Sequence, residues 1–410
     1  MTDFQLAAIV LSLTAALAYV NAKFLKLPSS VGLMAIALVG SFTLLALKRF
    51  GVDVSDHVRA LVTELDFSDT LLHGMLGLLL FAGALHLDVA GLGADKLAVA
   101  TLALGGTLLS TILIGGAIDL ALGLIGVPIA PIEAFLFGAL ISPTDPIAVL
   151  GVLKSVQVPR ELETRIAGES LFNDGIGVVI FITVLAVASG HEVSAGEIGT
   201  LFVREALGGA TFGLVTGYAA YRLVRSIDDY TVEVLITLAL VIGGYAMAEA
   251  IHVSAPLAAI VAGLVIGTRA PDVMSDRTRM YLDSFWKLVD EVLNAVLFML
   301  IGITILVLPF QRGMLAAGLL AVPIVLAARW ISVALPLTAL GRFRASTPHS
   351  IKILTWGGLR GGLSIAMALS LPASQARDII LGMTYAVVAW SILVQGMTFG
   401  PLLRRLERRT

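Results

Sequence analysis

Gly168-Glu-Ser-Leu-Phe-Asn-Asp-Gly175 sets two carboxylates, a carboxamide and a hydroxyl into an apolar run that continues past Phe181. At helical spacing Ser170 lies one turn before Asp174 on one face, while Glu169 and Asn173 share a second face about 100° away. One face can hold an ion and the other can be anchored. Upstream, Ile141-Ser-Pro-Thr-Asp-Pro-Ile147 places Thr144 and Asp145 between two prolines, Pro143 and Pro146, each of which removes a backbone donor. Carboxylate, hydroxyl and amide oxygens, with carbonyls freed where a helix unwinds, suit a small hard cation. They suit a proton equally well, because desolvation raises a carboxyl pKa from ~3.9 toward neutrality. Sodium and a proton then compete for one carboxylate. Two structural roles stand beside this reading: Asp145 as the cap of a half-helix starting at Pro146, and Asn173 as an interhelical hydrogen-bonding residue.

Such groups need a membrane around them to be informative, and the composition supplies one. At 410 residues, with 58% hydrophobic and 14% charged side chains, the chain is too apolar for a soluble globular protein and reads as an all-α polytopic membrane protein. Apolar runs near 4–22, 28–47, 68–89, 95–122, 130–154, 162–189, 198–223, 231–250, 254–270, 283–308, 314–340, 348–371 and 378–402 predict about thirteen transmembrane helices in a lipid bilayer. The first run lacks a basic n-region and a small-residue cleavage site, so it is expected to be a retained span. The net charge of -2 and the scattered basic residues offer no nucleic-acid face. Without cysteine there are no disulfides or thiolate metal sites. No phosphate loop, zinc spacing or nucleophile triad emerges, so neither an enzyme nor a cofactor is expected.

Of the 27 basic residues, Arg329 and Arg360 lie deep inside runs; the other 25 divide 19 to 6 between the two sides of the membrane. That bias places the C-terminus in the cytoplasm and the N-terminus outside, as an odd span count requires. Thirteen spans suggest two inverted six-helix repeats around a middle span, so that run 5 corresponds to run 12. Run 5 carries the two prolines, and run 12 carries Trp356-Gly-Gly-Leu-Arg-Gly-Gly-Leu363. Interrupted spans at matched positions point to a transporter's binding site, with helices 5 and 12 broken and crossing. Asp145 and Asp174 are then ~14 and ~18 Å deep, near the middle of the bilayer. Neither arginine can stay unpaired at depth, and the spacing leaves open which of them meets Glu169. Asp119, Glu133, Asp290 and Glu291 read as funnel-lining or ordinary helix-end charges outside the core site. The six histidines, His57, His73, His86, His191, His252 and His349, read as residues near span ends.

These motifs resemble the NhaP-type sodium/proton exchangers of the monovalent cation:proton antiporter-1 family. Ser142-Pro-Thr-Asp-Pro146 looks like its unwound span 5 and Glu169-Ser-Leu-Phe-Asn-Asp174 like its ion-binding span 6. Phe285-Trp286 through Asn294 to Gly302 resembles span 10, and Gly357-Gly-Leu-Arg-Gly361 with Val394-Gln-Gly-Met-Thr398 the last two spans. The resemblance implies that Asp174 binds cation and proton in turn, with Asp145, Ser170, Thr144 and Asn173 completing the site. It implies a Glu169 to Arg329 ion pair, and Arg360 as the fixed charge at broken span 12. It also implies a homodimer in the cell membrane, with dimerisation helices in 1–92 and 227–310, core helices in 93–190 and 311–410, and a linker helix in 191–226. Many members carry an acidic residue in span 3 where this chain has Phe81-Ala82-Gly83. The chain ends soon after its last run, so the long tail of animal exchangers is not expected. The function expected is sodium, or lithium, exchange for protons by alternating access, serving pH homeostasis. Exchange is expected to be electroneutral, since Asn173 cannot titrate. Potassium/proton exchange is the nearest alternative and a cation channel a more distant one.

Overall fold

The computed structural model describes residues 2–50, 67–88, 96–127, 129–145, 149, 160–189, 195–308, 313–341 and 349–407. Among them the architecture is entirely helical, with no strand beyond one isolated bridge. In chain order the helices are α1 (Asp3–Val20), α2 (Ser29–Arg49), α3 (Phe67–Leu85), α4 (Lys96–Leu124), α5 (Pro131–Ile141), α6 (Arg160–Ala188) and α7 (Ala195–Val224). They continue as α8 (Tyr230–Ala250), α9 (Ala255–Arg269), α10 (Asp276–Thr304), α11 (Met314–Gly341), α12 (Ser350–Trp356), α13 (Gly362–Leu369) and α14 (Gln375–Leu406). Ten of them are long and apolar enough to cross a membrane.

The remainder fall where the sequence places interruptions. Helix α5 has 11 residues and α9 has 15, while the twelfth apolar run is divided into α12 and α13 of 7 and 8 residues. Helix α5 stops at Ile141, two residues before Pro143, which cannot donate back into the helix, while Ser142 between them keeps helical dihedrals. The second proline, Pro146, and the half-helix expected to begin there lie outside the described residues. Helices α12 and α13 are parted by the glycine-rich stretch around Arg360.

Small residues weld part of the bundle together. A Cβ on Gly209 would come within 2.5 Å of the Ser254 carbonyl oxygen, and Gly213 and Gly217 face Ala258 and Ala262 in the same manner, so α7 lies directly on α9. On its other side α9 presents Gly263 and Gly267 to the carbonyls of Phe81 and Leu85 in α3. The buried Trp286 of α10 lies 4.7 Å from Phe81 with the ring planes tilted by 52°, and donates from Nε1 to Thr237 Oγ1 of α8 at 3.0 Å. Helices α4, α5, α6, α11, α12, α13 and α14 form a second packed group, which buries Glu169, Asn173, Arg329 and Arg360.

Candidate ion-binding site

The two interruptions meet. Asp145 N, just past α5, donates to the carbonyl of Leu359, between α12 and α13, at 2.8 Å, and the pair forms an antiparallel bridge. Unwound backbone inside a membrane protein must find partners, and here the chain supplies them from side chains. The buried Arg360 donates from Nη1 to the carbonyls of Ser142 and Pro143, the latter at 2.8 Å. Its guanidinium therefore sits at the carbonyl end of α5, where the helix dipole favours positive charge. Arg360 N donates in turn to Ser391 Oγ at 2.9 Å, and Gln395 Nε2 donates to the Trp356 carbonyl at 3.1 Å. Ser391 and Gln395 bound a π-helical turn of α14, a local widening that recurs at functional sites.

Helix α6 fastens the same break from the other side. Asn173 Oδ1 accepts from Thr144 N at 3.0 Å, and Asn173 Nδ2 donates to Thr144 Oγ1 at 2.7 Å. Thr144 Oγ1 lies 3.1 Å from Ser170 Oγ. These three residues satisfy one another and are 0%, 1% and 3% exposed in the order Thr144, Asn173, Ser170. Asp145 and Asp174 differ from them in being half-buried. Both line a cavity of about 150 Å³ together with Gly361, Ser364 and Asp290. A Cβ on Gly361 would overlap Asp145 Oδ2, so only glycine lets that carboxylate lie against the broken strand of chain. The cavity shares Gly83, Ala167 and Asp290 with a vestibule of about 520 Å³ that also meets Asp88, Glu163, Lys287 and Glu291.

Glu169 points the other way. Its Oε1 lies 2.5 Å from Arg329 Nη1, with side chains 1% and 7% exposed. Arg329 Nη2 donates to the Leu354 carbonyl at 3.1 Å, so one guanidinium joins α6, α11 and α12. Arg360 makes its contacts elsewhere, at the α5 carbonyls. The two arginines thus divide their work between an anchor and the crossing.

Several residues stand apart from their reading in the sequence. Asp290, read there as a funnel or helix-end charge, lines the cavity with the two aspartates, whereas Glu291 lines only the vestibule. Its one sequence signal is Asn294 one turn later on the same helix face, which donates to Asp290 Oδ1 at 3.0 Å. Glu133, by contrast, takes the helix-end role offered for it, since its Oε2 accepts from Ala130 N at 2.7 Å and so caps α5. Ser391 carries no sequence signal, because a lone serine in a membrane helix ordinarily bonds its own backbone.

A model of the sodium/hydrogen exchanger transmembrane region matches residues 9–405 of the chain. The Na(+)/H(+) antiporter NhaP of Pseudomonas aeruginosa is 47% identical over 409 residues, covering 98% of this chain and 96% of that protein. The Na(+)/H(+) antiporter NhaH of Halobacillus dabanensis is 38% identical over 393 residues, covering 94% and 93%. Among solved structures, the sodium proton antiporter MjNhaP1 of Methanocaldococcus jannaschii matches with a TM-score of 0.77 over 97% of this chain and all of that one, at 18% identity. At that identity the likeness is one of fold.

Proposed function

This chain belongs to the sodium/hydrogen exchanger family, and from that premise we propose that it is a secondary antiporter exchanging sodium, and lithium, for protons across the cell membrane. The observation that carries the reading is the pair of half-buried carboxylates, Asp145 and Asp174, facing one cavity beside two crossed and broken helices. Asp174 takes cation or proton in turn, so that binding one expels the other. Asp145, the Ser170 hydroxyl and Thr144 complete the cation's oxygen ligands, and Asn173 holds the turn that carries them. Glu169 and Arg329 form an ion pair outside the exchange, so one proton exchanges for one cation at Asp174 and no net charge crosses. This stoichiometry requires that Asp145 keep one protonation state through the cycle.

Alternating access follows from moving the core, residues 93–190 and 311–410, against residues 1–92 and 227–310, through which two copies pair as a homodimer. The interrupted helices count as spans in this reading, giving thirteen, with the N-terminus outside and the C-terminus in the cytoplasm. The test uses everted membrane vesicles holding a respiration-driven pH gradient. Sodium or lithium should collapse the gradient, potassium should not, and Asp174→Asn should remove the response. A response to potassium alone would replace sodium as the substrate, and cation flux without proton movement would make the protein a channel.

A further inference from the structure

Asp290 belongs to α10, which packs on α13 where Leu297 meets Gly362, and it lines both the cavity of Asp145 and Asp174 and the vestibule that leads into it. It is half-buried, and its carboxylate is steadied by Asn294 Nδ2 at 3.0 Å. Asn294 is buried, and its own Oδ1 has no hydrogen-bond partner among the described residues. Asn294 lines neither the cavity nor the vestibule, so it positions the carboxylate, and Asp290 itself faces the space a cation would fill. The third helix meets the same cavity with Gly83 and offers no charge there. Lys287, one turn before Glu291, faces only the vestibule and opposes a general attraction of cations.

We infer that Asp290 is a third cation-coordinating carboxylate that serves the site on one side of the membrane only. The inference rests on the antiporter reading and on the division of helices proposed with it. Asp145 and Asp174 travel with the core, whereas Asp290 stays with α10. When the core moves, Asp290 loses sight of the cation while the other two keep it. The vestibule opens at the ends of α3, α6 and α10 that carry Asp88, Glu163 and Lys287, which the charge bias assigns to the cytoplasm. Asp290 therefore strengthens cation binding from the cytoplasmic side and leaves the outer-facing site as it is. The asymmetry alters no equilibrium of the whole cycle, because the sodium-loaded carrier shifts its own inward preference by the same factor.

The test compares everted with right-side-out vesicles, which expose opposite faces to added sodium. For Asp290→Asn the ratio of KM for sodium at the cytoplasmic face to KM at the outer face should rise about fivefold or more, the size of a weak coupling between sites. Asp290→Glu should restore the ratio to near the wild-type value. Glu291→Gln, which touches the vestibule alone, should leave it unchanged. An unmoved ratio for Asp290→Asn, or equal shifts for Asp290→Asn and Glu291→Gln, would overturn the proposal in favour of a general surface charge. A ratio that moves in the opposite sense would overturn it as well, because the proposal assigns Asp290 to the cytoplasmic-facing site. A wild-type chain without sodium-dependent proton movement would overturn the function and the proposal together.

Discussion

Glu169→Gln would strand a guanidinium inside the membrane. Arg329 would keep only the Leu354 carbonyl at 3.1 Å, since its Nε has no partner among the described residues. Removing one member of a buried ion pair leaves an uncompensated charge and costs about 3–5 kcal/mol. Arg329→Gln strands the carboxylate instead, at a similar cost. Two independent losses would sum to roughly 6–10 kcal/mol, whereas removing both charges together should cost no more than one of them. The double variant Glu169→Gln/Arg329→Gln should therefore be the informative one, with a coupling of about 3 kcal/mol or more. Melting of the purified protein in detergent, followed by intrinsic fluorescence, gives the order. Both single variants should melt well below wild type, and the double variant should melt above the weaker single. A double variant that melts lowest, by the sum of the two shifts, would refute the argument that these side chains serve each other.

Asp174→Asn should retain the fold but lower exchange below about a tenth of wild type, a loss of at least ~1.4 kcal/mol in transition-state terms, measured as sodium-dependent pH recovery in vesicles. Gly361→Ala should displace Asp145, whose Oδ2 lies where the new methyl would go, so sodium affinity should fall in transport assays while the melting temperature changes less than in the Glu169 variants. Thr144→Val would leave Asn173 Nδ2 without its acceptor at 2.7 Å and should cost about 1–3 kcal/mol of stability, seen as a lower melting temperature. Electroneutral exchange should run at one rate whether the membrane potential is zero or clamped with potassium and valinomycin, because only a net charge would couple at ~2.3 kcal/mol per 100 mV. A sustained current on a solid-supported membrane would contradict it.

The crossing was legible because proline and glycine punctuate a chain in ways that apolar residues cannot disguise. Pro143 ends a helix by lacking a donor, and four glycines around Arg360 announce a segment that cannot remain helical. Matched positions in two halves of the chain then brought the interruptions together before any contact was known. The partner of Glu169 was not settled by spacing, since two arginines lay at comparable depth and only packing separates them. Asp290 was harder to read, for it stands on a helix whose other charges, among them Asp283 and Lys287, are exposed, and a cavity-lining carboxylate there has the same local pattern as a solvated one. Ser391 was invisible, because its hydroxyl matters only through a π-turn that no periodicity encodes. The short helices α5, α12 and α13 were expected within full-length apolar runs, since hydropathy registers composition and is blind to whether the backbone stays coiled.

Along α7, α9 and α3 the glycines bring backbone onto backbone at several points, where little side chain is left to yield. Helix α7, which joins the two halves of the chain in sequence, is thereby fixed to the same block as α3 and α9. Such a block would serve as a stator. If the core moves against it as proposed above, the block would resist the torque of the moving half, and the free energy of the ion gradient would go into displacement of one body and not into deformation of two.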